Sequence, residues 1–361
     1  MEDMGVTPDR DFWCGKRVLI TGHTGFKGSW LSIWLSRLRC TVMGIALPPE
    51  EFPNLFTLAE VQKLVTKSCF VDVRDRSFLK EAIEDFSPQI VFHLAAQSLV
   101  RRGYKNPHYT FETNILGTIN LLEIARNIES IKVIIVVTTD KVYENKEWFY
   151  PYRETDQLGG KDPYSASKAA VEIVTESYRR SFFKNKGVAV ASARSGNVIG
   201  GGDWAEDRLI PDMIKAWEKD ETLLVRNPYS VRPWQHVLEP LWGYMLLAEK
   251  LWHEPELAGA YNFGPFPNGF VTVREMIELA KTFYGSGKVI YSGEVNNEFH
   301  EASLLRLDIS KSQTLLGFIP RWSLLKSIEK TINWYRSQKL GMNPVELCLE
   351  DIRDYERSPS Q

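Results

Sequence analysis

Cysteine is scarce in this 361-residue chain: there are four, Cys14, Cys40, Cys69 and Cys348. None is close to another and none has the spacing of a metal-binding motif, which argues against a disulfide framework and for reduced thiols in a cytoplasmic protein. An excess of charge of one sign is also missing. Lys and Arg number 44 against 46 Asp and Glu, a net charge of -2, so no basic face for a nucleic-acid polymer is expected and positive charge at any site must be local. No apolar run approaches the roughly 20 residues that span a bilayer, and no membrane partner is expected. Met1 to Arg10 is polar and acidic, without the apolar centre of a signal peptide. The six histidines show no ligand spacing, and no metal is expected. Repeats, low-complexity tracts and long linkers are lacking as well. The composition is that of an ordinary soluble enzyme, 43% apolar and 25% charged, longer than a single core usually grows.

The first half alternates short apolar runs with helical stretches. Strands are expected at Arg17–Thr21, Thr41–Leu47, Ser68–Val73, Ile90–Ala96, Lys132–Thr139 and Val188–Arg194. Helices are expected from Ser29 to about Leu38 and near Arg76–Phe86, Thr110–Asn127 and Tyr164–Lys184. This order indicates an α/β fold, a Rossmann-type doubly wound parallel sheet. Between the first strand and first helix lies Gly22-His23-Thr24-Gly25-Phe26-Lys27-Gly28. There glycines let the backbone approach a diphosphate, and the helix N-terminus offers free amides. The glycine spacing is not G-x-G-x-x-G, and the second strand ends in Pro48-Pro49 before Glu50 and Glu51. With no carboxylate at the strand end, this local test leaves NAD against NADP open. Asp72 and Val73 could meet an adenine, and Leu94, Ala95 and Ala96 could let a cofactor pass; taken alone, they suit a helix cap and plain packing equally well.

The chain centres on residues 138–168. Thr138-Thr139-Asp140-Lys141 ends a buried strand, and Pro163-Tyr164-Ser165-Ala166-Ser167-Lys168 opens a helix. Tyr164 and Lys168 stand one turn apart on one helical face. A nearby ammonium favours a phenolate, so Lys168 is expected to lower the tyrosine from its ordinary pKa of about 10. Isolated Tyr-x-x-x-Lys is more often an ordinary surface pair; its setting here argues for chemistry.

Together, Thr21-Gly-x-x-Gly25-Phe26-x-Gly28, His93-Leu-Ala-Ala-Gln97, Asn114 and Tyr164-x-x-x-Lys168 resemble the extended short-chain dehydrogenase/reductase superfamily, over about residues 12–335. The resemblance implies NAD, held by Gly22, Thr24, Gly25, Phe26, Lys27, Gly28, Asp72, Val73, Leu94, Ala95, Ala96, Asn114, Tyr164 and Lys168. A narrower resemblance is to the sugar-nucleotide 4,6-dehydratases, whose CDP-glucose branch has Asp-Lys after the threonine, as Thr139-Asp140-Lys141 does here. That branch also resembles the chain at Phe12-Trp13-x-Gly15-Lys16, Gly200-Gly201-Gly202-Asp203-Trp204 and Arg232-Pro233-Trp234-Gln235-His236-Val237; it commonly has cysteine where Val142 stands. The resemblance implies C4 oxidation in which Tyr164, tuned by Lys168, takes the hydroxyl proton as hydride passes to NAD, with Thr139, Asp140 and Lys141 completing a C5–C6 elimination before hydride returns to C6. Lys141 is either the C5 base or an electrostatic stabiliser. Dehydratases or epimerases of UDP-N-acetylglucosamine or dTDP-glucose type are the alternative, and a non-catalytic dinucleotide sensor is a third reading.

The nucleotide-sugar substrate is expected on Gln97, Ser98, Asn197, Arg208, Arg232, His236 and Arg306. Arg232 is the strongest phosphate candidate, since a guanidinium fork matches phosphate oxygens. Asn197 resembles the superfamily's diphosphate-binding asparagine, with a turn cap as the alternative; Arg208 suits a phosphate partner and a solvated charge equally well, and His236 a ligand contact and a packed core histidine equally well. A dinucleotide-binding domain is expected at 12–200, a mainly substrate-binding lobe with segments returning to the sheet at 201–340, and a loosely held tail at 341–361. The segment from Glu298 to Asp308 could close over the base. Helices are expected near Leu238–Trp252, Thr272–Tyr284 and Leu324–Gln338, with a strand at Lys288–Tyr291. The superfamily further implies a homodimer or a dimer of dimers, through the helices at Thr110–Asn127 and Tyr164–Lys184, where Val171, Ile173, Val174 and Phe182 suit either a partner or an intrachain core.

Overall fold

Six apolar stretches of the first half become parallel strands: β1 (Arg17–Thr21), β2 (Thr41–Ala46), β3 (Lys67–Phe70), β4 (Ile90–His93), β5 (Val133–Val137) and β6 (Ala189–Ser195). The structure is a computed structural model that describes residues 8–50, 52–266, 270–291 and 304–359. Beyond β6 come β7 (Val198–Ile199), β8 (Thr222–Val225), β9 (Val231–Pro233), β10 (Gln235–His236), β11 (Ala260–Phe263), β12 (Phe270–Thr272) and β13 (Lys288–Tyr291). β11 returns to pair with β6, giving a seven-stranded sheet in the order β11-β6-β5-β4-β1-β2-β3, with each neighbouring pair parallel. The small pairs β10–β7, β12–β9 and β13–β8 lie outside it.

Side chains alternate across a strand, so a strand covered on both faces serves two cores. Val18, Ile20, Val133, Ile135 and Val137 enter one core with Trp30 and Trp34 of the helix Phe26–Arg37 and Leu241 of the helix Leu238–His253. Leu19, Ile134 and Val136 enter the other with Leu79 and Ile83 of the helix Arg76–Phe86, Leu121 and Leu122 of the helix Gly117–Ala125, and Val171 of the helix Pro163–Tyr178. Each such burial contributes about 1.5–3 kcal/mol. The strand order reverses between β1 and β4, and ligands of open parallel sheets bind beyond strand ends at such a point.

Two expectations are corrected. The stretch Thr110–Asn127 is not one helix: a short helix, Pro107–Phe111, runs through a π-helical turn, Glu112–Leu116, into Gly117–Ala125. The wide turn rotates Thr113 and Asn114 inward. The tail is not loose. Pro344–Arg357 is a helix capped by the Asn343 side chain, and Leu347, Cys348, Ile352 and Tyr355 are buried. Tyr355 donates to Glu239 Oε2 at 2.7 Å, Trp34 Nε1 donates to Glu356 at 3.0 Å, and Arg321 donates to the carbonyls of Tyr355, Glu356 and Ser358. High charge on one face hid the apolar spacing of the other. Glu298 to Ser303, the first part of the segment expected to close over a base, lies outside the described residues.

Among the described residues, no helix is long and apolar enough to cross a membrane. The docked C-terminal helix yields a stability prediction. Ile352→Ala should lower the unfolding free energy by about 2–5 kcal/mol in urea titration, whereas a loosely attached helix would give a change below about 0.5 kcal/mol.

Candidate active site

The glycine-rich turn is pressed against the sheet so closely that side chains are excluded. Gly22 has φ +80°, and a Cβ there would lie 2.7 Å from the amide nitrogen of Ala95; at Gly28 it would lie 2.1 Å from the carbonyl oxygen of Gly22. The helix that follows has Gly25 at its N-cap and no side-chain cap, and Thr24 Oγ1 ties the turn to the carbonyl of Leu47 at 2.9 Å. Gly25 faces open space apart from Gly22. Bare amides at a positive helix end are what a diphosphate requires, so this cradle fits a dinucleotide.

The turn opens into a cavity of about 950 Å³ along the strand ends, lined also by Asp72, Val73, Leu94, Ala95, Ala96, Gln97, Ser98, Thr139, Asp140, Lys141, Tyr164, Lys168, Asn197, Arg208 and Arg232. Chain segments far apart in sequence thus meet at one site. Asp162 caps the helix Pro163–Tyr178 by accepting from Ser165, and Pro163 stands at its first turn. This start fixes Tyr164 and Lys168 on the face toward the cavity.

Thr139 is the hub of the reactive group. Its hydroxyl donates to Asp140 Oδ1 at 3.0 Å and contacts the Tyr164 phenol, while the Lys141 amide donates to it at 3.3 Å. Asp140 Oδ2 is buried without a hydrogen-bond partner among the described residues. Burial raises the Asp140 carboxyl above the ordinary range, against the opposing pull of Lys141, Thr139, Arg232 and Lys27. A carboxyl whose protonated form is favoured by burial therefore stands beside a phenol.

The tyrosine does not behave as the sequence suggested. Burial pushes Tyr164 up to about 12, and the lowering influences of Thr139 and Arg208 do not offset it. Lys168 Nζ is turned to the carbonyl of Val137 at 3.0 Å, and burial brings its pKa down to about 8. Helical spacing carries the proximity of the two groups but not their desolvation, which dominates here.

Four expected ligand residues besides Lys27 are used otherwise. Asn114 is buried off the cavity wall: its Oδ1 accepts from the Gln97 amide at 2.8 Å, and its Nδ2 donates to Ser167 Oγ at 2.8 Å. It braces the wall. Gln97 reaches the cavity, but its amide donates to the carbonyl of Leu99 and to Thr110, and its Oε1 accepts from the Leu99 amide. His236 is fully buried between Trp30 and Trp322, its Nδ1 accepting from the Leu238 amide at 3.3 Å; an imidazole packed between indoles cannot reach the cavity. Arg306 is not among the lining residues and sits over the Phe270 ring, 5.4 Å from its centre.

Asp72 is paired with Arg74 at 2.6 Å and held below its ordinary range by the hydrogen bonds and charge of that arginine, which outweigh its partial burial. Arg208 is paired with Asp203 at 2.8 Å. Lys27 reaches away from the turn, donating to Ser195 Oγ at 2.7 Å and to the Tyr244 hydroxyl at 3.2 Å. Ser195 and Tyr244 were missed because both sit in stretches that read as packing. Arg101, Arg102, Glu50 and Asp207 also line the cavity and were missed; Arg102 pairs with Glu50 at 2.5 Å and Arg101 with Asp207 at 2.8 Å. No sequence spacing links those partners.

Four known proteins or families are similar to the chain. A family model described as GDP-mannose 4,6 dehydratase matches residues 19–331. The chain is 44% identical over 354 residues to the CDP-glucose 4,6-dehydratase of Salmonella typhimurium, covering 96% of this chain and 98% of that one. Among solved structures, dTDP-glucose 4,6-dehydratase from Bacillus anthracis in complex with NAD is similar with a TM-score of 0.73 and 21% identity, covering 92% of this chain and 100% of that chain. UDP-glucose 4-epimerase from Thermotoga maritima with UDP-glucose is similar with a TM-score of 0.76 and 22% identity, covering 90% and 99%.

The phenol's burial can be read directly. The spectrum of the dinucleotide-free protein minus that of Tyr164→Phe should show no tyrosinate absorbance below about pH 10, the ordinary titration point; a phenolate appearing near neutrality would contradict the upward shift.

Proposed function

The chain belongs to the GDP-mannose 4,6-dehydratase family, and on that footing we propose that it acts as a CDP-glucose 4,6-dehydratase, an NAD-dependent hydro-lyase. It converts CDP-D-glucose to CDP-4-dehydro-6-deoxy-D-glucose and water. The carrying observation is that Thr139, Asp140 and Lys141 share one cavity with Tyr164 and Lys168, in a chain with a full-length likeness to a CDP-glucose 4,6-dehydratase.

The chemical problem is that the C5 proton of a hexose is scarcely acidic and hydroxide leaves C6 poorly. Once C4 is a carbonyl, loss of the C5 proton gives a stabilised enolate. NAD, when bound in the glycine cradle, supplies the hydride acceptor for C4 and donor for C6, and its positive ring favours the phenolate of Tyr164. Tyr164 takes the C4 hydroxyl proton, and Thr139, already in contact with the phenol, holds the C4 oxygen. Asp140, whose protonated form burial favours, gives its proton to the departing C6 hydroxyl. Lys141 takes the C5 proton or steadies the enolate. Lys168 holds the nicotinamide ribose. Arg232 and Arg208 bind the substrate diphosphate, with Asn197 and Ser98 beside the nucleotide-sugar. The product suits deoxysugar assembly for surface lipopolysaccharide in the cytoplasm.

A homodimer is part of the same reading, with a dimer of dimers as the larger form. Of the apolar residues named on the second helix, Val171 is in the core, Val174 packs against it, and Phe182 lies under Arg126 at 3.8 Å. Ile173 remains 61% exposed, alongside Phe111 at 37% and Leu116 at 49% on the neighbouring helices, and this face supports the pairing.

The test is incubation with NAD and, separately, CDP-, dTDP-, UDP- and GDP-glucose and UDP-N-acetylglucosamine, followed by mass spectrometry for loss of one water. Dehydration confined to CDP-glucose is expected. Dehydration of another substrate would move the specificity, and isomerisation without water loss would remove Asp140 and Lys141 from the mechanism. Lys141→Ala should bind NAD normally while dehydration falls by about 10²–10⁴-fold; unchanged turnover would exclude the C5 role.

A further inference from the structure

Lys27 lies in the glycine-rich turn, where a lysine is naturally read as a ligand of the cofactor diphosphate. Its side chain goes elsewhere. The ammonium donates to Ser195 Oγ at 2.7 Å, at the end of β6, and to the Tyr244 hydroxyl at 3.2 Å, on the helix Leu238–His253. Those two hydroxyls are themselves 2.8 Å apart, closing a buried triangle. The residue after Ser195 is Gly196, where a Cβ would come within 3.1 Å of Asp140 Oδ2. Lys27, Ser195, Gly196 and Asp140 all line the cavity, so the cation's anchor is joined through one backbone step to the residue packed on the acid.

We propose that Lys27 serves the elimination step as a positioning residue: fixed by Ser195 and Tyr244, its ammonium stabilises the carboxylate that Asp140 becomes on giving up its proton. This rests on the dehydratase reading. In that step Lys141 takes the C5 proton, the C5–H electron pair becomes the C5–C6 double bond, the C6–O bond breaks with its electron pair, and the Asp140 proton completes the departing water. The negative charge then left on Asp140 is buried, where an unpaired carboxylate is costly and a nearby cation acts with little screening.

The charged surroundings fit this role. Lys27 faces the cations Arg208 and Lys168 and the acid Asp140; burial first, then those cations, lower its pKa to about 7. Asp140 faces Lys141, Arg232 and Lys27, with the phenols of Tyr164 and Tyr244 also in range. Lys27 pulls Asp140 down while burial pushes it up. Removing the ammonium leaves the acid protonated to higher pH and a poorer proton donor.

The experiment compares the full-length chain with Lys27→Met, using NAD and CDP-glucose. NAD affinity is read by fluorescence titration. Single-turnover absorbance of reduced nicotinamide and quenched-flow mass spectrometry separate C4 oxidation from loss of water. The expected result is NAD affinity within about twofold of wild type and elimination slowed by about 10- to 100-fold. The alkaline limb of the elimination rate should also move to higher pH, and added ethylamine should partly restore Lys27→Ala. Ser195→Ala, which keeps the cation but loosens its anchor, should slow the same step by a smaller factor; it carries the test if the lysine variants do not fold. Weakened NAD binding with an unchanged elimination rate and pH profile in the loaded enzyme would make Lys27 a cofactor ligand and overturn the proposal. Failure of the unmodified chain to dehydrate any of the sugar nucleotides would overturn the dehydratase reading, and this inference with it.

Discussion

A single buried carboxylate ties the reactive helix to the sheet. Glu172 accepts from Thr138 Oγ1 at 2.5 Å, Ser192 Oγ at 2.6 Å, and Arg194 through Nε at 3.0 Å and Nη2 at 2.8 Å. Arg194 and the surrounding donors hold this carboxyl below its ordinary range despite complete burial. Thr138 directly follows β5, Ser192 and Arg194 lie within β6, and Glu172 itself is one turn beyond Lys168 and two beyond Tyr164 on one helical face. The bond set therefore fixes two things together: the height of the helix over the sheet, and the exit of the chain from β5 into Thr139-Asp140-Lys141. Leaving such a carboxylate without its partners costs about 3–5 kcal/mol, so the arrangement is either made whole or not made.

With the helix fixed, the chemistry follows from strand ends. β1 delivers the glycine cradle, β4 the small residues beside it, β5 the acid and lysine, and β6 the serine and glycine beneath them. Thr139 touches both Asp140 and Tyr164. A sugar hydroxyl held there would meet a phenol and a carboxyl that burial raises without further rearrangement, which is the preorganisation that elimination needs.

Much of this was legible because it is local. The strand–glycine turn–helix order, the tyrosine and lysine one turn apart, and the Thr-Asp-Lys run are short-range patterns, and the sheet's continuous apolar runs need no partner to be recognised. What could not be read depends on desolvation or on contacts across the chain. Tyr164 is pushed up because it is buried, a quantity spacing does not carry. His236 read as a ligand because of its neighbours in sequence, but its neighbours in space are Trp30 and Trp322. The C-terminal helix was hidden by its charged face, and Tyr244 by the apolar helix that carries it. Asn114 was recognisable as a member of the site, whereas its task, holding Gln97 and Ser167 together, belongs to the fold.

The same burial that defeats the sequence reading is what separates the roles of the site's ionisable groups. Lys27 and Lys168 are drawn down toward neutrality, while Asp140 and Tyr164 are driven up. Each of these shifts is driven by burial and disfavours the charged form. Negative charge entering with a diphosphate, or developing on a sugar oxygen, meets cations that are only partly hydrated and need little reorganisation to respond. Charge brought in by the ligands is thus what switches these groups into their working forms. A water-filled cleft with the same residues would hold them ionised in advance and would screen the interactions on which the reaction depends.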